Sequence, residues 1–178
     1  MARLDEVISV TKQNVILIGF MGVGKTTIGE ALAERLGWRP IDSDQWIERQ
    51  QGVAISEIFA TRGEAHFRQL ETEAITEILE QQQQVVMTGG GAPLKQENRE
   101  IMLAGGTVIC LQATVQEIVE RLRQDTSRPL LQGDLEERVM TLLEQRKDVY
   151  RFAPIQIDTT AKSVEQIVSE IEAALKHE

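Results

Sequence analysis

Apolar residues alternate along the chain between two patterns: short unbroken runs, and longer stretches spaced by three or four. Asn14 to Phe20 (NVILIGF) is the first run, closed by glycine, and reads as a strand buried on both faces. From about Gly24 to Leu36 the spacing turns helical, with Ile28, Leu32 and Leu36 on one face and Gly37 as the stop. Arg39 to Ile41 predicts a brief second strand, and Asp42 and Ser43 offer capping oxygens for a helix through Trp46 and Ile47. A short helix is expected over Ser56 to Thr61 and a longer one over Gly63 to Gln82, where Phe67, Leu70, Ala74, Ile78 and Leu79 share a face. Val85 to Met87 is the third run and ends in Gly89, Gly90 and Gly91. A helix over about Gln96 to Ala104, a strand over Thr107 to Leu111 and a helix over Val115 to Arg123 follow. After a loop from Gln124 to Gly133, a helix is expected from about Leu135 to Arg151, then a strand at Ile155 to Asp158 and a last helix at Val164 to Lys176.

Strand and helix alternate throughout, which predicts one α/β domain built on a parallel sheet with right-handed crossovers. The length of 178 residues suits a single domain over 1–178. With 19 basic and 28 acidic residues the net charge is -9, which argues against binding to a nucleic-acid backbone. Cys110 is the only cysteine, which excludes an internal disulfide framework and fits a reducing, cytoplasmic setting. No apolar run reaches membrane-spanning length, and the first residues, MARLDEVISVTKQN, read as a short arm rather than a targeting segment. Gln81 to Gln84 reads as a solvated helix end.

The segment GFMGVGKT fits G-x-x-x-x-G-K-[ST], with Gly19, Gly24, Lys25 and Thr26 at the defining positions. It lies between an apolar strand and an amphipathic helix, the context that a phosphate-binding loop requires. Its glycines let backbone N–H groups approach phosphate oxygens, and the helix that follows turns its positive end to the anion. Lys25 supplies a cation for the β- and γ-phosphates, and the Thr26 hydroxyl is a hard ligand suited to Mg²⁺. The loop alone does not name the reaction, since GTPases, motor ATPases and small-molecule kinases all use it. The N-K-x-D segment of guanine-specific proteins is absent.

Four later features point to a small acceptor, and each has a plainer reading beside it. Asp42-Ser43-Asp44 closes the second strand, where alternate carboxylates can divide between a metal's water shell and an acceptor hydroxyl; it also suits a helix cap. Arg68, after Phe67 and three residues before Glu71, can clamp a carboxylate or pair with Glu71 on a solvated face. Gly89 to Gly91 permits close approach to a ligand at the carboxyl edge of the sheet, or forms a turn. Ser127-Arg128-Pro129-Leu130-Leu131 carries an arginine on a loop that can close over phosphates; a solvated loop arginine is the bland alternative. Arg146, one turn before Tyr150, can be a second anion clamp or a surface residue.

The ordered set G-x-x-x-x-G-K-T, D-S-D, F-R-x-x-E, G-G-G, S-R-P-L-L and R-x-x-x-Y strongly resembles shikimate kinase, from Val15 to about Lys162. The resemblance implies a three-layer P-loop fold like that of nucleoside monophosphate kinases. Its parts are a five-stranded parallel sheet flanked by helices, with a mobile lid at about 124–133. It implies Mg²⁺-dependent transfer of the ATP γ-phosphoryl group to the 3-hydroxyl of shikimate by a cytoplasmic monomer. Lys25, Asp44 and Arg128 would be catalytic; Asp44, Arg68, Gly90 and Arg146 would bind shikimate. Gly22, Val23, Gly24, Lys25, Thr26, Thr27, Arg121, Arg128 and Lys162 would bind ATP, and Thr26 and Asp42 would serve the metal. The run Thr159-Thr160-Ala161-Lys162-Ser163 departs from the arginine or proline that relatives often carry near the adenine. The remaining alternatives are another small P-loop kinase, such as a gluconate or nucleoside monophosphate kinase, and a nucleotide-binding regulatory module without turnover.

Overall fold

In the computed structural model, residues 14–125 and 134–177 are described. The first apolar run forms β1 (Asn14–Ile18), and α1 (Lys25–Leu36), β2 (Arg39–Asp42) and α2 (Ser43–Gln51) follow. Then come α3 (Ile55–Leu79), β3 (Gln84–Met87), a 3-10 turn at Ala92–Leu94, α4 (Gln96–Gly105), β4 (Thr107–Gln112) and α5 (Val115–Gln124). After the segment 126–133, α6 (Leu135–Arg146), β5 (Ile155–Asp158) and α7 (Val164–Leu175) complete the described chain. The strands form one sheet in the order β2-β3-β1-β4-β5, and every pairing is parallel.

The unbroken apolar runs are explained by burial on both faces. Successive side chains of a strand point to opposite sides. Val15 and Leu17 of β1, Val85 and Met87 of β3, and Ile109 and Leu111 of β4 join a core that α1, α5 and α7 cover. Ile16, Ile18, Val86, Val108 and Cys110 face the other way, against Ile75 and Ile78 of α3 and Met102 of α4. The result is three layers, helix on sheet on helix. A satellite cluster of Ile47, Ile58, Phe67 and Ala74 joins α2 to α3.

Two expectations sharpen and one is corrected. Gly63 (φ 82°, ψ 172°) breaks the helical path inside α3, which is the division expected between Thr61 and Gly63. Gly37 closes α1 in a left-handed conformation, with its N–H on Glu34 and Ala33 carbonyls. The helix expected to run to Arg151 ends instead at Arg146. Residues 147–151 turn, with Val149 N donating to Arg146 O at 2.9 Å and Arg151 N to Asp148 O at 3.4 Å, and this carries Tyr150 inward to 7% exposure.

Parallel pairing places all strand carboxyl ends on one edge. Leu17 stands beside Met87, Met87 beside Asp42, and Ile18 beside Cys110. β1 is therefore flanked by the segments that follow β3 on one side and β4 on the other. α/β sheets receive ligands in the crevice at such an edge.

Candidate active site

The loop between β1 and α1 is held by positive-φ glycines at Gly19 (145°), Gly22 (81°) and Gly24 (99°). Gly24 caps α1 without a side-chain hydrogen bond, and the first turn of the helix holds no acidic group. The amides there remain directed outward, as an anion site needs. The Lys25 ammonium donates to Gly19 O at 2.7 Å and Phe20 O at 3.0 Å, so it lies folded over its own loop. Thr26 and Thr27 are exposed on the first turn of α1. Val23, by contrast, buries its side chain at 1% exposure, which leaves only its backbone for a nucleotide.

The three glycines after β3 are each faced by a different group expected at the site. A methyl group built at Gly89 would lie 2.7 Å from Asp44 Oδ1. At Gly90 it would lie 3.5 Å from Met21 N and 3.9 Å from Arg146 Nη1. At Gly91 it would lie 2.5 Å from both Nη1 and Nη2 of Arg68. Asp44, Arg146 and Arg68 are thus gathered from α2, α6 and α3 onto one strip beside the phosphate loop. The strip itself is pinned: Gly89 N donates to Ser43 Oγ at 3.3 Å, and Tyr150 OH donates to Gly90 O at 2.8 Å.

Arg68 does pair with Glu71, at 2.8 Å, but not on a solvated face. Glu71 is 1% exposed, and Arg68 extends across the Phe67 ring, 5.4 Å from its centroid. Burial pushes the Glu71 carboxyl above the usual range, opposed by the Arg68 hydrogen bond and charge. Arg68 Nη2 also reaches Glu64 Oε1, at 3.5 Å, so two carboxylates hold the guanidinium where its terminal nitrogens face Gly91. Burial likewise raises the Tyr150 phenol, opposed by Arg146, and lifts the Cys110 thiol to about 11.

Asp42 caps α2, as its plainer reading anticipates: its Oδ1 accepts from Asp44 N at 2.9 Å and Gln45 N at 3.0 Å. That cap fixes the carboxylate at the end of β2 and sets the first turn that carries Asp44. On the far side of β1, Arg121 donates to Gly22 O at 3.1 Å and pairs with Glu117. Lys162 is engaged with Glu170 of α7 at 2.9 Å. Arg128 and the segment 126–133 lie outside the described residues.

Sequence reasoning passed over two contributors, Glu117 and Thr159, and the contact of a third. Tyr150 stands in the R-x-x-x-Y set, but nothing in its neighbourhood points to Gly90. Glu117 has the i,i+4 spacing to Arg121 that marks a pair, but nothing local shows what its second oxygen meets. Thr159, fully buried, donates its N–H to Gln112 O at 2.7 Å and has Val23 O within reach of its hydroxyl at 3.2 Å, tying the end of β5 to the phosphate loop.

Known proteins resemble this chain along most of its length. The shikimate kinase family model matches residues 21–176. A shikimate kinase of Geobacter metallireducens is 48% identical over 165 residues, covering 92% of each chain. One from Moorella thermoacetica is 43% identical, covering 92% of this chain and 94% of its own. The solved shikimate kinase of Acinetobacter baumannii, in complex with shikimate, superposes with a TM-score of 0.87 at 38% identity, covering 93% of this chain and 94% of that one. A gluconokinase from Sinorhizobium meliloti, 22% identical with a TM-score of 0.61, shares the fold, covering 93% of each chain. By sequence and by structure alike, the chain belongs to the shikimate kinase family and is an ATP-dependent kinase.

Proposed function

We propose that the chain transfers the γ-phosphoryl group of ATP to the 3-hydroxyl of shikimate, giving shikimate 3-phosphate and ADP on the route to chorismate and the aromatic amino acids. The observation that carries this reading is the convergence of Asp44, Arg68 and Arg146 on the Gly89 to Gly91 strip beside Lys25. Two guanidinium groups suit the single carboxylate of shikimate, and one carboxylate suits its hydroxyls. Gly90 offers backbone at a place where a side chain would fill the acceptor's space.

Each group has a part in the transfer. Arg68 and Arg146 hold the carboxylate and thereby orient the ring. Asp44 accepts a hydrogen bond from the attacking hydroxyl and takes its proton late, which suffices in a loose transition state. Lys25 leaves the carbonyls of Gly19 and Phe20 to meet the transferring phosphoryl group. Gly22, Val23, Gly24, Thr26 and Thr27 present the loop and first-turn amides to the phosphates. Arg121 borders the nucleotide beside Gly22, and Lys162 closes that side. Arg128, assigned from the sequence alone, adds positive charge at the transferring group.

The oxygen donors suit Mg²⁺. No cluster of three acidic, histidine or cysteine side chains occurs among the described residues, so the protein offers too few ligands for a complete cage. Mg²⁺ is ordinarily held by one or two protein oxygens, with phosphates and waters completing its shell. The Thr26 hydroxyl would ligate it directly, and Asp42 through a water. When bound, the metal neutralises charge that develops on the phosphate oxygens.

Every group in this reading comes from one chain, so a monomer suffices. We place it in the cytoplasm with ATP and shikimate as its partners. Among the described residues no helix is long and apolar enough to cross a membrane. The test is ADP release measured in parallel with shikimate, gluconate, AMP and no acceptor. Release only with shikimate is expected; equal release without it would refute the assignment.

A further inference from the structure

We infer that Glu117 is the positioning residue of the nucleotide's base side, holding Arg121 with one carboxylate oxygen and the Thr159 to Lys162 turn with the other. The inference rests on the reading that Arg121 borders the bound ATP.

The geometry begins at the start of α5. Thr114 is the N-cap, and its Oγ1 accepts from Glu117 N at 3.3 Å. In a capping box a glutamate at this third position would return the bond to the N-cap amide. Here that amide is already taken, since Thr114 N donates to Thr160 Oγ1 at 3.0 Å. The Glu117 side chain is thereby diverted. Its Oε1 pairs with Arg121 Nη2, one turn along the helix, and its Oε2 accepts from Ala161 N at 3.0 Å.

Both partners need a holder. Ala161 stands at φ 55°, one of two non-glycine residues at positive φ among those described. A side chain there is unfavourable and persists only when neighbours fix it. Arg121 uses Nη1 on Gly22 O at 3.1 Å, which turns that phosphate-loop carbonyl toward α5. The turn is secured at its other end by Thr159, whose N–H donates to Gln112 O at 2.7 Å and whose hydroxyl reaches Val23 O at 3.2 Å. One carboxylate therefore sets the distance between a guanidinium on α5 and a backbone turn after β5, both beside the phosphate loop. Lys162, the residue of that turn with a charge to offer, is turned to Glu170. The turn thus meets a ligand through a backbone conformation that Glu117 maintains.

The experiment is steady-state kinetics with ATP, GTP and shikimate varied, on the wild-type chain and on Glu117→Ala, Glu117→Gln, Arg121→Ala and the double alanine variant, with thermal melting of each. Glu117→Ala should raise KM for ATP about ten-fold, the loss expected when a charge-assisted pair is removed, while KM for shikimate changes less than about two-fold. The preference for ATP over GTP should fall, and the double variant should lose less than the product of the single effects. Glu117→Gln keeps an oxygen for Ala161 N but gives up the ion pair, so its KM should lie between. If Arg121→Ala raises KM for ATP and Glu117→Ala does not, the positioning role is overturned while the nucleotide reading stands. A rise shared equally by shikimate would also overturn it. If Arg121→Ala leaves KM for ATP unchanged, the nucleotide reading fails and the inference with it.

Discussion

Replacing Gly91 by alanine isolates the proposed arginine clamp without replacing the arginine. Gly91 has φ -92° and ψ -5°, which alanine adopts without strain, so the substitution acts only through its added methyl group. That methyl group would stand 2.5 Å from both terminal nitrogens of Arg68 and 2.8 Å from Cζ. Ordinary contact begins near 3.4 Å, so the guanidinium must withdraw by about 0.9 Å. It is the far end of a long side chain and can do so, but it is also held by the buried Glu71 at 2.8 Å. Withdrawal from the strip therefore spoils the geometry of a bidentate contact with a carboxylate. A hydrogen bond to a charged group is worth roughly 1.5–3 kcal/mol, so kcat/KM for shikimate should fall roughly ten- to a hundred-fold. KM for ATP should hold within about two-fold, because the nucleotide groups lie across β1. Initial rates from a coupled ADP assay, with each substrate varied and Tm recorded, give the answer. An unchanged kcat/KM for shikimate in a normally folded variant would refute the clamp, as would an equal loss in kcat/KM for ATP at saturating shikimate.

Other substitutions separate the remaining parts. Lys25→Ala should lower kcat by roughly a hundred-fold or more, since it removes the cation proposed to meet the transferring phosphoryl group; near-normal turnover in a single-turnover assay would exclude that role. Tyr150→Phe keeps the ring in the core and removes the hydroxyl's bonds to Gly90 O and Arg146, so it should raise KM for shikimate a few-fold and cost about 1 kcal/mol in urea unfolding, whereas a rise in KM for ATP alone would show the strip is held otherwise. The Cys110 thiol, raised to about 11 from 9.0, favours folding as the neutral form. Its contribution is complete below the unfolded value and is lost as pH climbs through the folded one, on the order of 3 kcal/mol between pH 9 and 11. Urea unfolding of wild-type and Cys110→Ala chains at both ends of that window should show the wild type losing more; parallel losses would contradict it.

The strands were legible because each central run is buried on both faces, so no polar residue interrupts Val15 to Ile18 or Val108 to Leu111. The break in α3 was legible because Gly63 marks it in the chain. The end of α6 was not. Lys147, Asp148 and Arg151 keep the charge spacing of a solvated helix, and Asp148 does pair with Arg151 at 2.8 Å, yet the backbone turns there to bring Tyr150 to Gly90. The phosphate loop could be read from its own residues, since its chemistry is local. The proposed acceptor residues could not, because their meaning lies in contacts between separate elements. Arg68 and Glu71 look like a surface pair until the burial of Glu71 is known, and Asp42 is a cap whether or not it serves a metal. Glu117 was hidden for the same reason, its two partners lying on different elements.

The strand order divides the site in a way that bears on how such an enzyme can change. β2 and β3 lie to one side of β1 and end in Asp42 and the glycine strip; β4 and β5 lie to the other and lead to Thr114 and the Thr159 to Lys162 turn. Lys25, following the central strand, is the group both sides share. On the proposed assignment, drift at Asp44 and Arg68 on the β2–β3 flank, together with Arg146 reaching over from α6, would rewrite which alcohol is phosphorylated while the β4–β5 flank went on receiving the same donor. A library confined to those three residues would explore new acceptors on an inherited nucleotide half, and the complementary library at Glu117 and Arg121 would explore new donors for an inherited acceptor.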